Sequence, residues 1–183
     1  VFYMRMPTEE TGRVTSVVKK EMLSVTGDGS STLQELIMAN DRAKLQWKKL
    51  KRAFGLRLRS VLAKDEKFEL VSIGNHALGT KFIDGSHLIN EHLSRKFDDI
   101  SGKIAGFYFG RFDLRCASLE DLYQGNIRIM ELNGCGAEPV HIYDPDFSLW
   151  KAVCVHLAHW RSIFDIAQAN RRLGVKYISL KDA

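Results

Sequence analysis

The apolar positions along this chain change period several times, and each change predicts an element. "VFYMRMP" (1–7) and "RVTSVVKKEM" (13–22) are strand-forming runs, with a turn at Gly12 between them. "SVTGDGSST" (24–32) reads as a loop. "TLQELIMANDRA" (32–43) then takes up helical spacing behind a Ser or Thr N-cap. From Arg42 to Arg59 helical spacing continues, with Leu45, Leu50, Phe54 and Leu58 expected on a core-facing side. "KFELVSIGN" (67–75) predicts a strand running into a loop, and "SHLINEHLSRKFDDISGKI" (86–104) a helix. "GFYFGRFDLR" (106–115) and "GNIRIMELN" (125–133) predict two more strands, whose connection includes Gly125 and Asn126. "DFSLWKAVCVHLAHWRSIFDIAQANRRLG" (146–174) predicts a long helix stopped by Gly174. No repeat or low-complexity tract interrupts the series. The order predicts an α+β fold with a largely antiparallel sheet flanked by helices.

Composition narrows the class. At 183 residues, 45% hydrophobic and 27% charged, the chain has enough apolar material for a core and is expected to be globular. No apolar run approaches the roughly 18 residues that span a bilayer. No signal peptide is visible, and the three cysteines, Cys116, Cys135 and Cys154, lack zinc-like spacing. They read as reduced thiols in a cytoplasmic protein. The chain begins with Val1 rather than Met, a start expected either of an arbitrary boundary or of a missing upstream region. The formal charge of +5 is unevenly placed: eight Lys/Arg and no acid lie between Arg42 and Arg59. That segment suits nucleic acid, an anionic membrane or an acidic partner, but its helical apolar spacing favours a helix with one solvated basic face.

The candidate chemistry lies in the strand pair at 106–133. Side chains alternate along a strand, so Arg111 and Asp113 share one face, and Glu131 and Asn133 share one face of their own strand. Antiparallel pairing would bring all four together. Two carboxylates and an amide oxygen are hard ligands, suited to Mg²⁺ rather than zinc. A surface hairpin with ordinary exposed charges would give the same spacing.

The motif order carries a resemblance. "GRFDLR…IMELNG" resembles the metal-binding core of the ATP-grasp ligases, as in D-alanine–D-alanine ligase: Gly110, Arg111, Phe112, Asp113, then Met130, Glu131, Leu132, Asn133. "KKEMLSVTGDGSSTLQELI" (19–37) and "GNHALGTKFID" (74–84) resemble segments of cyanophycin-synthetase-like members of that family. The resemblance implies the C-terminal region of an ATP-grasp fold, with the upstream lysine and adenine hinge missing. A single partial domain over 1–183 is then expected. Its parts would be strands and the Gly-Asp-Gly segment (1–40), a basic helical segment (41–66), a metal- and phosphate-binding core (67–145) and a C-terminal helix (146–183).

The implied activity is ATP- and Mg²⁺-dependent ligation of a carboxylate to an amine through an acyl phosphate, with Mn²⁺ as an alternative ion. The chain alone would be a poor catalyst. The resemblance assigns Asp113, Glu131 and Asn133 to the metal and Arg111 to the transferring phosphoryl group. It places Lys20 near the phosphates, though a solvated lysine fits as well, and Met130 on the adenine, where a core role is equally open. Asn75 is a candidate contact or a loop cap. Gly134 and Gly136 would let the backbone approach the transferred group. The implied partners are small-molecule carboxylates and amines, with neither a membrane nor nucleic acid expected and a homo-oligomer left open. The alternative is a catalytically silent module of the same fold that contacts an anionic partner through the basic helix.

Weaker patterns remain. "SVTGDGSSTLQE" (24–35) has Ser and Thr where a calcium loop needs acids. His156 and His159 are one helical turn apart without a carboxylate partner, so packed or exposed histidines are expected there rather than zinc ligands. "GAEPVHIYDP" (136–145) offers Glu138, His141, Tyr143 and Asp144 in a position suited to a substrate-facing loop.

Overall fold

The structure is a computed structural model that describes residues 1–72, 74 and 78–177. It is α+β, and its contacts divide the chain into two compact units, Val1–Val18 with Asp84–Ala183, and Lys19–Ile83.

The first unit is built on a four-stranded sheet of β1 (Phe2–Met4), β2 (Arg13–Ser16), β7 (Phe109–Arg115) and β8 (Arg128–Asn133), in the order β2-β1-β7-β8. Every pairing in it is antiparallel. Alternation along β1 sends Tyr3 to one face and Phe2 and Met4 to the other. On the Tyr3 face, Val14 and Phe112 pack with Leu93 and Phe97 of α4 (Glu91–Ser101) and Leu122 of α5 (Leu119–Gln124). On the other face, Phe2 and Met4 pack with Ala137 and with Ile166 of α6 (Leu149–Arg172). The sheet is thus a layer between helices, with a separate apolar cluster on each side. The Tyr3 hydroxyl, buried, donates to the Asp98 carboxylate, which also accepts from the Gly12 amide at 2.7 Å. That pair ties the β1–β2 turn to α4.

The second unit contains β3 (Val18–Glu21) paired with β6 (Lys81–Asp84), and β4 (Ser24–Thr26) paired antiparallel with β5 (Lys67–Glu69). Its core gathers Leu23, Val25, Leu33, Ile37, Leu50, Leu58, Leu62 and Leu70. Helix α1 (Leu33–Ala39) opens with a capping box: Thr32 Oγ1 accepts from the Glu35 amide, and the Glu35 carboxylate accepts from the Thr32 amide.

Several expectations require correction. The helix expected over 32–43 stops at Ala39, because the Asn40 side chain accepts from the Ala43 amide and starts α2 (Asp41–Leu45). The basic segment is three pieces rather than one helix: α2, α3 (Trp47–Phe54) and a 3₁₀ turn, Gly55–Arg59. Leu50 and Leu58 are buried and Phe54 packs against them, but Leu45 is 84% exposed, since α2 ends before its face can continue into α3. The strand expected over 67–75 is ordered as β5 for Lys67–Glu69 only, and part of its remainder lies outside the described residues. The helix expected over 86–104 is α4, capped by Asn90 and preceded by a 3₁₀ turn, Ser86–Leu88. The loop at 24–32 begins with β4. The long C-terminal helix is as expected, with Gly174 at φ 91° just beyond it.

Candidate metal and phosphate site

The register of β7 and β8 decides which side chains meet. Asp113 lies directly opposite Glu131, and Arg111 directly opposite Asn133. Directly opposed residues on an antiparallel pair share a face. Arg111 is also opposite Phe2, so this set lies on the α6 side of the sheet. A bulge follows Asp113: Leu114 pairs with Ile129, so Met130 is the extra residue on β8. Beyond the bulge Arg115 faces Arg128. The shared face therefore reads, along its length, Arg111 with Asn133, Asp113 with Glu131, and Arg115 with Arg128.

A carboxylate on a sheet face needs compensation, and Arg111 supplies part of it. Its Nε donates to Asp113 Oδ1 at 3.2 Å, and Nη1 donates to the Glu138 carbonyl at 3.3 Å. The Arg111 and Asp113 side chains are 19% and 18% exposed, so the pair is screened less than a surface ion pair. Glu131 is exposed on the edge strand. Two carboxylates facing each other repel unless a cation sits between or beside them.

The segment after β8 folds back across the same face. Ala137 joins the Phe2 cluster, and its carbonyl accepts from His159 Nε2 of α6 at 3.0 Å. His141 is buried, with Nδ1 at 2.7 Å from Ser16 Oγ. Ser16 is opposite Phe2, which is opposite Arg111, so the returning segment is held along a row crossing the sheet. Burial pushes both histidines below the ordinary imidazole range; a backbone hydrogen bond to Ala137 partly offsets this for His159, and Asp84 does so for His141. Tyr143 donates to Glu138 Oε2 at 2.5 Å, which raises the phenol above its usual value. Of the residues expected to face substrate in this segment, His141 is therefore interior, and Glu138 and Tyr143 are tied to each other. The Asp144 carboxylate accepts from the Asp84 and Asp146 amides.

Other expected site residues are distributed as follows. Met130 is 60% exposed at the bulge and is not a core residue. Gly134 and Gly136 follow β8 with open space where a Cβ would project, and Gly136 has φ 86°, a conformation that favours glycine. Lys20 belongs to β3 of the second unit, with its ammonium 5.9 Å from the centre of the Phe82 ring. Asn75 lies outside the described residues. His156 lies obliquely against Trp160, and His159 packs edge-on against Phe2. One feature escaped the sequence, the His159 clamp on Ala137; at Gly110 of the motif an added Cβ would meet the Phe107 ring at 2.7 Å.

Whether these residues suit a divalent cation can be judged from their chemistry. Among the described residues no three His, Cys, Asp or Glu side chains gather into a metal-holding cluster, so the set depends on an amide. Asn133, opposite Arg111, has its Nδ2 buried without a hydrogen-bond partner, and its Oδ1 is the atom that would face an ion. Two carboxylates and one amide oxygen match Mg²⁺, which takes few protein ligands and keeps positions for water and phosphate.

No protein-family model matches the sequence, and no curated protein sequence matches it. Among solved structures, the chain is similar to the crystal structure of a bifunctional glutathione synthetase from Pasteurella multocida. The TM-score is 0.47 and the identity 19%, over 86% of this chain and 24% of that one. The chain thus spans about a quarter of that protein's length. No helix among the described residues is long and apolar enough to cross a membrane.

Proposed function

We propose that the chain supplies the phosphate- and metal-facing wall of an ATP-grasp-type ligase, which joins a small-molecule carboxylate to an amine at the expense of ATP. The observation that carries this reading is the opposition of Asp113 and Glu131, with Arg111 opposite Asn133 on the same face. Asp113, Glu131 and Asn133 would hold Mg²⁺, or Mn²⁺ in its place. When bound, the ion would neutralise phosphate charge and orient the phosphate oxygens.

The chain's own residues have defined tasks in this scheme. A substrate carboxylate oxygen attacks the γ-phosphorus of ATP; the bond to the bridging oxygen breaks, ADP leaves and an acyl phosphate forms. The amine then attacks the acyl carbon, loses a proton and expels phosphate. Charge on the transferring group must be met by fixed positive groups and N–H donors. Arg111 is suited to this because the Asp113 carboxylate and the Glu138 carbonyl fix its guanidinium, leaving Nη2 as a further donor. Gly134 and Gly136 leave the backbone open to an anion next to β8. Met130, exposed at the bulge, would give the adenine an apolar contact.

Amide NMR during titration with MgATP tests the proposal. Shift changes concentrated at Arg111–Asp113 and 131–136 are expected. No perturbation at millimolar MgATP, or perturbation confined to other residues, would overturn it.

A further inference from the structure

Helix α6 has 24 residues and two apolar faces. The face carrying His159, Ile166 and Ala169 is buried against its own unit. The other carries Trp150, Val153, Leu157, Trp160 and Phe164, each between 40% and 77% exposed. Their spacing alternates between three and four residues, the 3.5 period of a coiled-coil seam. A stripe of this length and narrowness exceeds the scattered apolar residues that ordinary surfaces carry.

The stripe is complementary to itself. In an antiparallel pair of helices, a seam residue of one kind packs against the other kind in the second copy. Extending the period one step brings in Ala167, and one register then satisfies every position. Trp150 meets Ala167 of the second copy, Val153 meets Phe164, and Leu157 meets Trp160, each pairing occurring twice. Every aromatic side chain is placed opposite a smaller aliphatic one, so the layers are of similar volume, as close packing requires. Taking roughly 150–250 Å² for each full aromatic side chain, the open stripe offers about 600 Å² per copy. Two copies would bury about 1,200 Å², the lower bound for a stable specific interface.

We infer that this chain forms a two-fold symmetric dimer through antiparallel pairing of α6. The arrangement is isologous, so this seam closes at two copies.

Sedimentation velocity on the chain from about 1 to 100 µM, with far-UV circular dichroism as the check on folding, tests the inference. The wild type is expected to be a dimer. A167W places two indoles in one layer and is expected to weaken the dimer at least about tenfold. W150A/A167W restores one large and one small residue to that layer and is expected to recover dimerisation. L157D, at the centre of the seam, is expected to be a folded monomer, and it carries the test should the A167W variants fail to fold. A wild type that stays monomeric at 100 µM overturns the inference, including one that binds phospholipid vesicles instead. So does a dimer that tolerates L157D, or an A167W effect that the double variant does not reverse.

Discussion

Asp113 stands directly across β7 and β8 from Glu131, on the sheet face where Arg111 holds one Asp113 oxygen at 3.2 Å. The two carboxylates repel each other across the strands, with Arg111 on one side and Arg115 with Arg128 on the other, and that opposition is the basis of the functional reading. It predicts that a divalent cation stabilises the protein. Millimolar Mg²⁺ should raise the thermal midpoint of the wild type and have little effect on D113N/E131Q, measured by scanning calorimetry. An equal response in both would place any bound ion elsewhere.

Arg111→Ala should destabilise the chain by about 1–3 kcal/mol, because it removes hydrogen bonds to a carboxylate and to the Glu138 carbonyl in a largely buried setting. It also removes the guanidinium bonded to Asp113, so Mg²⁺ beside the two facing carboxylates should recover part of the loss. Arg111→Lys should recover part of the stability but little phosphate affinity, since an ammonium cannot reproduce the guanidinium fork. Denaturant midpoints with and without Mg²⁺ provide the check.

The strand pair was legible in the sequence because its chemistry obeys the same period of two that sets the sheet. Asp113 and Arg111, like Glu131 and Asn133, are two residues apart, and antiparallel pairing did the rest. The break at Asn40 was hidden because apolar spacing runs through it, while the decisive event is one side-chain cap on the Ala43 amide. Helix α5 was missed because its six residues bury only Leu122, too little to establish a period. The returning segment after β8 was legible as a loop but not in its path. His141 reaches Ser16 across 125 residues of sequence, and no local pattern encodes such a contact.

The two glycine positions flanking the strand pair should separate folding from binding. Gly110→Ala puts a Cβ 2.7 Å from the Phe107 ring and 3.0 Å from the Asn133 carbonyl, so it should cost about 1–3 kcal/mol as an overpacked site. Gly134→Ala meets nothing within 4 Å and should leave stability within about 0.5 kcal/mol of wild type. Its expected effect is on MgATP affinity alone, where the methyl would crowd the approach of phosphate. Chemical denaturation beside a nucleotide titration would reveal a reversed pattern.

His159 predicts the acid response. Burial lowers its folded-state pKa below the unfolded value of about 6.5, so the neutral ring is the form that the fold prefers. Its contribution is complete above about pH 6.5 and is lost as pH falls through the folded-state value. His141, also lowered by burial, adds in the same direction. The thermal midpoint should fall between pH 7 and 5, before most carboxylates titrate. His159→Gln, which can still donate to the Ala137 carbonyl but does not titrate, should reduce that slope. An unchanged slope would remove His159 from the acid response.

The central claim is that Asp113, Glu131 and Asn133 hold a divalent ion that receives nucleotide phosphates. Calorimetric titration with ATP tests it directly, with wild type in excess Mg²⁺, wild type in EDTA, and D113N/E131Q in excess Mg²⁺. The account predicts binding that depends on Mg²⁺ and weakens at least about tenfold in the double variant, roughly 1.4 kcal/mol or more. ATP affinity that is the same in EDTA, or the same in the double variant, would contradict it.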